Sequence, residues 1–141
     1  MVGFRVFGTH RRVQEYLASL ERDDQVICSA MEWMEFEKWH TGRVVLVGDA
    51  AHASSPMMGQ GGCMAMEDAV VLADELRAAV TMETALASYV SRRKARVEWV
   101  QRQSMAVGES LTMRSAVRNA MFRQRGNEAM HARFGPLVVA P

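Results

Sequence analysis

Apolar and polar side chains alternate over residues 1–9, which predicts a short strand closed by Gly8. Val13, Tyr16, Leu17 and Leu20 then recur at helical spacing and predict a helix over residues 10–22, followed by a turn at Asp23-Asp24. Residues 25–39 mix Val26, Ile27 and Cys28 with Met31, Trp33, Met34, Phe36 and Trp39 at no single period, so an extended stretch is expected there. Thr41-Gly42 reads as a turn. Val44-Val45-Leu46-Val47 is an unbroken apolar run between glycines, the pattern of a strand buried on both faces. Residues 48–62 hold four of the ten glycines and Pro56, and read as a loop.

From Cys63 to about Val80 the pattern turns helical. Ala65, Ala69, Leu72, Ala73, Leu76 and Val80 form one apolar stripe, and Glu67, Asp68, Asp74, Glu75 and Arg77 fill the remaining positions. A second helix is expected from Met82 to about Gln103, with Leu86, Tyr89, Val90, Val97 and Val100 inward. A third follows Gly108 and ends near Gly126, a residue suited to a C-cap. No period is readable from Phe134 to Pro141. The expected architecture is a few strands followed by three helices, in the α/β or α+β class.

The chain has 141 residues, 49% hydrophobic and 23% charged, with only 3 prolines. That excludes disordered and collagen-like classes. Two cysteines cannot build a disulfide framework. No apolar run reaches the length of a membrane span, and a soluble, cytoplasmic setting is expected. The net charge of +1 hides an asymmetry: residues 1–91 carry 7 basic and 13 acidic side chains, and residues 92–141 carry 10 and 3. Arg92, Arg93, Lys94, Arg96 and Arg102 could form a nucleic-acid patch. They are spread over helical turns with few aromatics between them, so no nucleic-acid partner is expected.

The chemistry concentrates in residues 42–76. A buried strand leads to Asp49, a glycine-rich loop follows, and a helix begins near Cys63. Ligands of α/β sheets sit beyond the carboxyl ends of strands. A helix N-terminus offers free N–H groups and partial positive charge. Gly59, Gly61 and Gly62 let backbone approach a flat or phosphorylated ligand. Asp49 can accept hydrogen bonds from sugar-like hydroxyls. The segment therefore suits a ligand with hydroxyls at one end and an electron-rich polar edge at the other.

Gly48-Asp49-Ala50-Ala51-His52, Ser55-Pro56, Gly59-Gln60-Gly61-Gly62 and Glu67-Asp68-Ala69 closely resemble the second flavin-binding motif of FAD-dependent aromatic monooxygenases with the para-hydroxybenzoate hydroxylase fold. The wording from Gly59 to Asp68 is most similar to the branch holding zeaxanthin epoxidases and urate or salicylate hydroxylases. A weaker similarity continues through Tyr89 and Arg93 to about Phe122. The resemblance implies the C-terminal portion of a Rossmann-like FAD-binding domain over residues 41–126. Residues 1–40 would be a remnant of the substrate-side sheet with a connecting helix, and 127–141 an irregular tail.

By that resemblance, Asp49 would hydrogen-bond ribityl or ribose hydroxyls of FAD. Pro56 would turn the loop beside the isoalloxazine ring. Gly59, Gln60, Gly61, Gly62 and Cys63 would wrap the ring's pyrimidine edge. The implied activity uses NAD(P)H and oxygen to hydroxylate or epoxidise a small aromatic or alkene substrate. No residue is assigned a catalytic role. Many members carry Asn where this chain has Cys63, so only a backbone contact is expected there. The family's Gly-x-Gly-x-x-Gly, which binds the ADP half of FAD, does not occur in these 141 residues. The resemblance covers the C-terminal third of a member. An in-frame extension upstream of Met1, a separate chain supplying the missing half, and an inactive remnant serving as an interaction module all remain open.

Other readings of the same residues are weaker. Asp49 and His52 lack a third metal ligand nearby, so no metal is expected. No Gly-x-Ser-x-Gly elbow supports a hydrolase. His52 reads as a structural hydrogen-bonding residue, and His10, His40 and His131 as surface residues. Cys63 is expected to be buried and inert. Met57, Met58, Met64 and Met66 suit a ring-shaped ligand or plain core filling equally.

Overall fold

The computed structural model describes residues 11–27, 30 and 32–141. The chain divides into two units, residues 1–30 and 31–141. In the first, α1 spans Arg11–Ala18, and a 3-10 turn follows at Asp23–Gln25. The Gln25 side chain accepts the backbone N–H groups of Glu21 (2.8 Å) and Arg22 (2.9 Å) and closes that turn. The strand expected over residues 1–9 lies outside the described residues.

In the second unit, residues 32–39 form no regular element. Strands β1 (His40–Thr41) and β2 (Val44–Val45) make an antiparallel hairpin with His40 opposite Val45 and Thr41 opposite Val44. Gly42 takes φ +54° at its turn, a conformation suited to glycine. Short α2 (Asp49–His52), a 3-10 turn at Pro56–Met58, α3 (Gly61–Ala78), α4 (Met82–Thr112) and α5 (Ser115–Phe134) follow. The core joins Trp39, Ala51, Met64, Val71, Tyr89, Val97 and Val100, with Val45 and Leu46 packed against it. It sits mainly where α3 lies along α4.

The hairpin corrects the reading of Val44–Val47 as a strand buried on both faces. Val44 is 64% exposed and Val47 42%. Burial on both faces needs layers above and below the strand. Here Val45 and Leu46 pack against the core, and Val44 and Val47 on either side of them are left uncovered.

Helix α4 starts as its sequence suggests. Thr81 caps it, accepting the Thr84 N–H at 3.2 Å, while the Thr84 hydroxyl accepts the Thr81 N–H. It then runs past Gln103 and through Gly108 to Thr112. Gly108 therefore does not end the helix, and a Cβ there would stand in ordinary contact with Met57 Cγ, 3.6 Å away. Gly126 likewise lies inside α5 and is not a C-cap. The tail expected to be irregular from residue 127 is helical to Phe134, and Gly135-Pro136 opens the 3-10 turn beyond it.

The buried face of α3 is also displaced from the apolar stripe. Met64, Asp68 and Val71 are buried, whereas Ala69, Ala73, Leu76 and Val80 are exposed. A carboxylate occupies the centre of that face, and the helix is oriented by what binds it.

Candidate functional site

The site begins at Gly48. Its φ of +56° bends the chain out of the hairpin, and a Cβ there would meet Ala65 Cβ at 3.2 Å. Both facts favour glycine. Asp49 follows as the first residue of α2 and is exposed. After α2, the Pro56–Met58 turn closes with the Gly59 N–H donating to the Pro56 carbonyl at 2.9 Å. Gly59 takes φ +63°, and Gln60 donates a long 3.4 Å bond to the Met58 carbonyl. Gln60 then stands at the N-cap of α3, its side chain accepting none of the helix N–H groups.

Two ends meet here. The first backbone bond into α3 runs from the Met64 N–H to the Gln60 carbonyl. The N–H groups of Gly61, Gly62 and Cys63 therefore find no acceptor among the described residues. Beside them stands Asp49, whose Oδ1 lies 3.9 Å from the position of a Cβ on Gly61. A Cβ at Gly59 or Gly62 would meet nothing within 4 Å. The site is an open cradle with three donors at the positive end of an 18-residue helix and one carboxylate acceptor beside them. That donor set fits the polar edge of an isoalloxazine and neighbouring hydroxyls. Pro56 is exposed at the start of the turn, and Cys63 is a free, exposed thiol. The expectation that Cys63 is buried is thus corrected: it lies on the open side of the first turn of α3. Met58 and Met64 fill the core, while Met66 is exposed.

Behind the cradle lies a buried charged network. Asp68 Oδ2 accepts the Gly48 N–H at 2.9 Å and lies 2.6 Å from His52 Nε2. Asp68 Oδ1 accepts Arg93 Nε–H at 2.7 Å. Arg93 also donates to the Met64 carbonyl at 3.1 Å and pairs with Glu67. Arg96 grips both Glu67 oxygens at 2.8 Å and donates to the Pro136 and Leu137 carbonyls at 3.0 Å. Asp68 and Arg93 are both fully buried. His52 is a structural hydrogen-bonding residue, as its sequence reading holds, with its ring 5.4 Å from that of Trp39. Sequence reasoning left Asp68 off the apolar stripe of its helix and read Arg93 only as one of a basic cluster. The available signal was position: Arg93 sits on the inward stripe between Tyr89 and Val97, where a charge requires a partner.

Burial pushes the Asp68 and Glu67 carboxyls up, but hydrogen bonds outweigh it. For Asp68 these come from His52, Arg93 and the Gly48 N–H. For Glu67 they come from Arg96 and Arg93. Both carboxyls are held below their ordinary values of 3.8 and 4.5. A depressed carboxylate contributes stability that is complete above its ordinary value and is lost as pH falls through its folded value. Thermal melts are therefore expected to be level from about pH 7 to 5 and to fall steeply below about pH 4.

The basic cluster of α4 is largely bonded within the chain. Arg92 donates to Glu75 and the Pro141 carbonyl, Lys94 to the Glu37 carbonyl, and Arg93 and Arg96 as above. Among the described residues no group of three or more His, Cys, Asp and Glu could hold a metal, and no helix is long and apolar enough to cross a membrane.

Residues 10–104 match the family model for an FAD binding domain. The chain is 32% identical over 133 residues to aurachin C monooxygenase/isomerase of Stigmatella aurantiaca, covering 92% of this chain and 35% of that protein. It is 38% identical over 90 residues to an FAD-dependent urate hydroxylase of Klebsiella oxytoca, covering 64% of this chain and 23% of that protein. The crystal structure of Klebsiella pneumoniae HpxO complexed with FAD superposes with a TM-score of 0.75 at 28% identity, covering 94% of this chain and 36% of the other. Across the curated relatives it matches, the chain spans 19% to 35% of their length.

Proposed function

This chain belongs to the FAD binding domain family, and we propose that it supplies the flavin side of the cofactor site in an FAD-dependent monooxygenase. The observation that carries this reading is the cradle itself: three free N–H groups at the start of α3 beside the Asp49 carboxylate. Asp49 would accept hydrogen bonds from ribityl or ribose hydroxyls. Gly59, Gln60, Gly61, Gly62 and Cys63 would wrap the pyrimidine edge of the ring, with the backbone N–H groups of Gly61–Cys63 toward its oxygen and nitrogen acceptors. Pro56 would set the turn beside the ring.

The electrostatics suit a redox cofactor. The N-terminus of α3 favours negative charge by its dipole and by free donors already in place. Bound there, the flavin supplies the redox and oxygen chemistry, and the protein binds, orients and tunes it. NAD(P)H as reductant and a small aromatic or alkene substrate complete the reading. So does a polypeptide region supplying the ADP-binding half. Exposed Val44 and Val47, beside a strand paired on one edge, are the surface such a region would cover.

The test is competition on the purified chain, read by flavin fluorescence. Because the cradle recognises ring and hydroxyls, riboflavin is expected to compete with FAD and ADP is not. Displacement by ADP alone, with riboflavin inert, would contradict the reading.

A further inference from the structure

The buried carboxylate of Asp68 has a connection that packing alone does not require. One of its oxygens holds the N–H of Gly48 at 2.9 Å, and Gly48 immediately precedes Asp49. Gly48 stands at a backbone bend (φ +56°, ψ −141°), and Asp68 gives its N–H an acceptor 20 residues along the chain. The same oxygen lies 2.6 Å from Nε2 of His52, the last residue of α2. Asp68 thus grips the residue before α2 and the residue that ends it, and Asp49 lies between them.

Asp68 is itself held. Its other oxygen takes Arg93 Nε–H at 2.7 Å, and the rest of that guanidinium is engaged by the Met64 carbonyl and Glu67. Met64, Glu67 and Asp68 all belong to the first half of α3, whose opening turn carries the free N–H groups of the cradle. The carboxylate that anchors Asp49 is therefore built into the helix that supplies the donors. An ionised carboxylate can accept from Gly48, His52 and Arg93 together, whereas an amide turns one oxygen into a donor facing donors.

We propose that Asp68, oriented by Arg93, is the positioning residue for Asp49, fixing its carboxylate against the first turn of α3 so that hydroxyl and ring contacts of one flavin are made together. The inference rests on the FAD reading above. Asp68 acts through Asp49 and touches no ligand itself.

The experiment compares Asp68→Asn with a core truncation remote from the loop, Leu86→Ala, in the full chain. Leu86 is buried near the start of α4. Three readouts are taken: melting temperature, FAD affinity with the visible circular dichroism of bound flavin, and hydrogen exchange of the Gly48 amide without ligand. Asp68→Asn is expected to weaken FAD binding about tenfold beyond Leu86→Ala, as loss of a supporting partner does at ligand sites. It should also alter the dichroism band and speed exchange at Gly48. Arg93→Lys keeps a cation beside Asp68 but loses the planar fork, and should act in the same direction by roughly threefold. It carries the test if Asp68→Asn does not fold. Equal FAD affinity in Asp68→Asn and Leu86→Ala overturns the proposal, as does an unchanged Gly48 amide. A wild-type chain that shows no FAD binding, while Gly48 exchange still responds to Asp68→Asn, overturns the flavin reading and the assigned role together but leaves the contact standing.

Discussion

Arg93→Met is expected to destabilise the fold by about 3–5 kcal/mol, the range for removing one partner of a buried ion pair. Arg93 is 0% exposed and holds a carboxylate on either side, Asp68 and Glu67, plus the Met64 carbonyl. Methionine fills much of the same volume, so the loss is one of charge and hydrogen bonds rather than of packing. Asp68 would keep Gly48 and His52, but its second oxygen would be left buried and unpaired. Glu67 is partly exposed, retains Arg96, and adds less. A loss of this size lowers the melting temperature by about 10 °C or more in a domain of this length. Replacing both members, as in Arg93→Met with Asp68→Leu, is expected to recover part of it, since a matched apolar pair leaves no orphaned charge. Thermal melts of the single and double variants check both statements.

Gly61→Leu is expected to separate the fold from the ligand. A Cβ at this position meets only Asp49 Oδ1, at an ordinary 3.9 Å. Gly61 is the first residue of α3, and leucine is the better helix former. The melting temperature should hold or rise slightly. The longer side chain, however, stands between Asp49 and the free N–H groups, in the space assigned to the flavin. FAD affinity should fall by roughly a hundredfold or more, about 2.7 kcal/mol. Few substitutions of core residues combine an intact melt with a lost ligand, so the pair of readouts is diagnostic. Differential scanning calorimetry beside a fluorescence titration supplies them.

What was legible in the sequence was local. The acid at Asp49, the glycines at 59, 61 and 62 and the helix after them lie within fifteen residues, and their placement depends on chain direction and backbone freedom. The inward stripe of α4 was also legible, because Leu86, Tyr89, Val97 and Val100 keep helical spacing and are all buried. What failed was pairwise and distant. Asp68 and Arg93 are 25 residues apart, and each alone reads as a solvated charge; only their meeting makes burial tolerable. The stripe assigned to α3 went astray for the same reason, since the helix turns Asp68 inward and leaves Ala69 and Ala73 in water. Gly108 and Gly126 read as stops because sequence does not distinguish a glycine that ends a helix from one inside it. At Gly108 the helix simply continues, and a Cβ there would lie in ordinary contact with Met57, 51 residues earlier. The run Val44–Val47 promised a strand covered on two faces, but its cover depends on neighbours that four residues cannot specify.

The central claim is that the first turn of α3 and Asp49 together hold a flavin. The most direct test is a titration of the full chain with FAD, following flavin fluorescence, for wild type and Gly61→Leu side by side. The account predicts a saturable change with the wild-type chain and its loss in Gly61→Leu at an unchanged melting temperature. No saturable change with wild type, or equal affinity in the two chains, would contradict it.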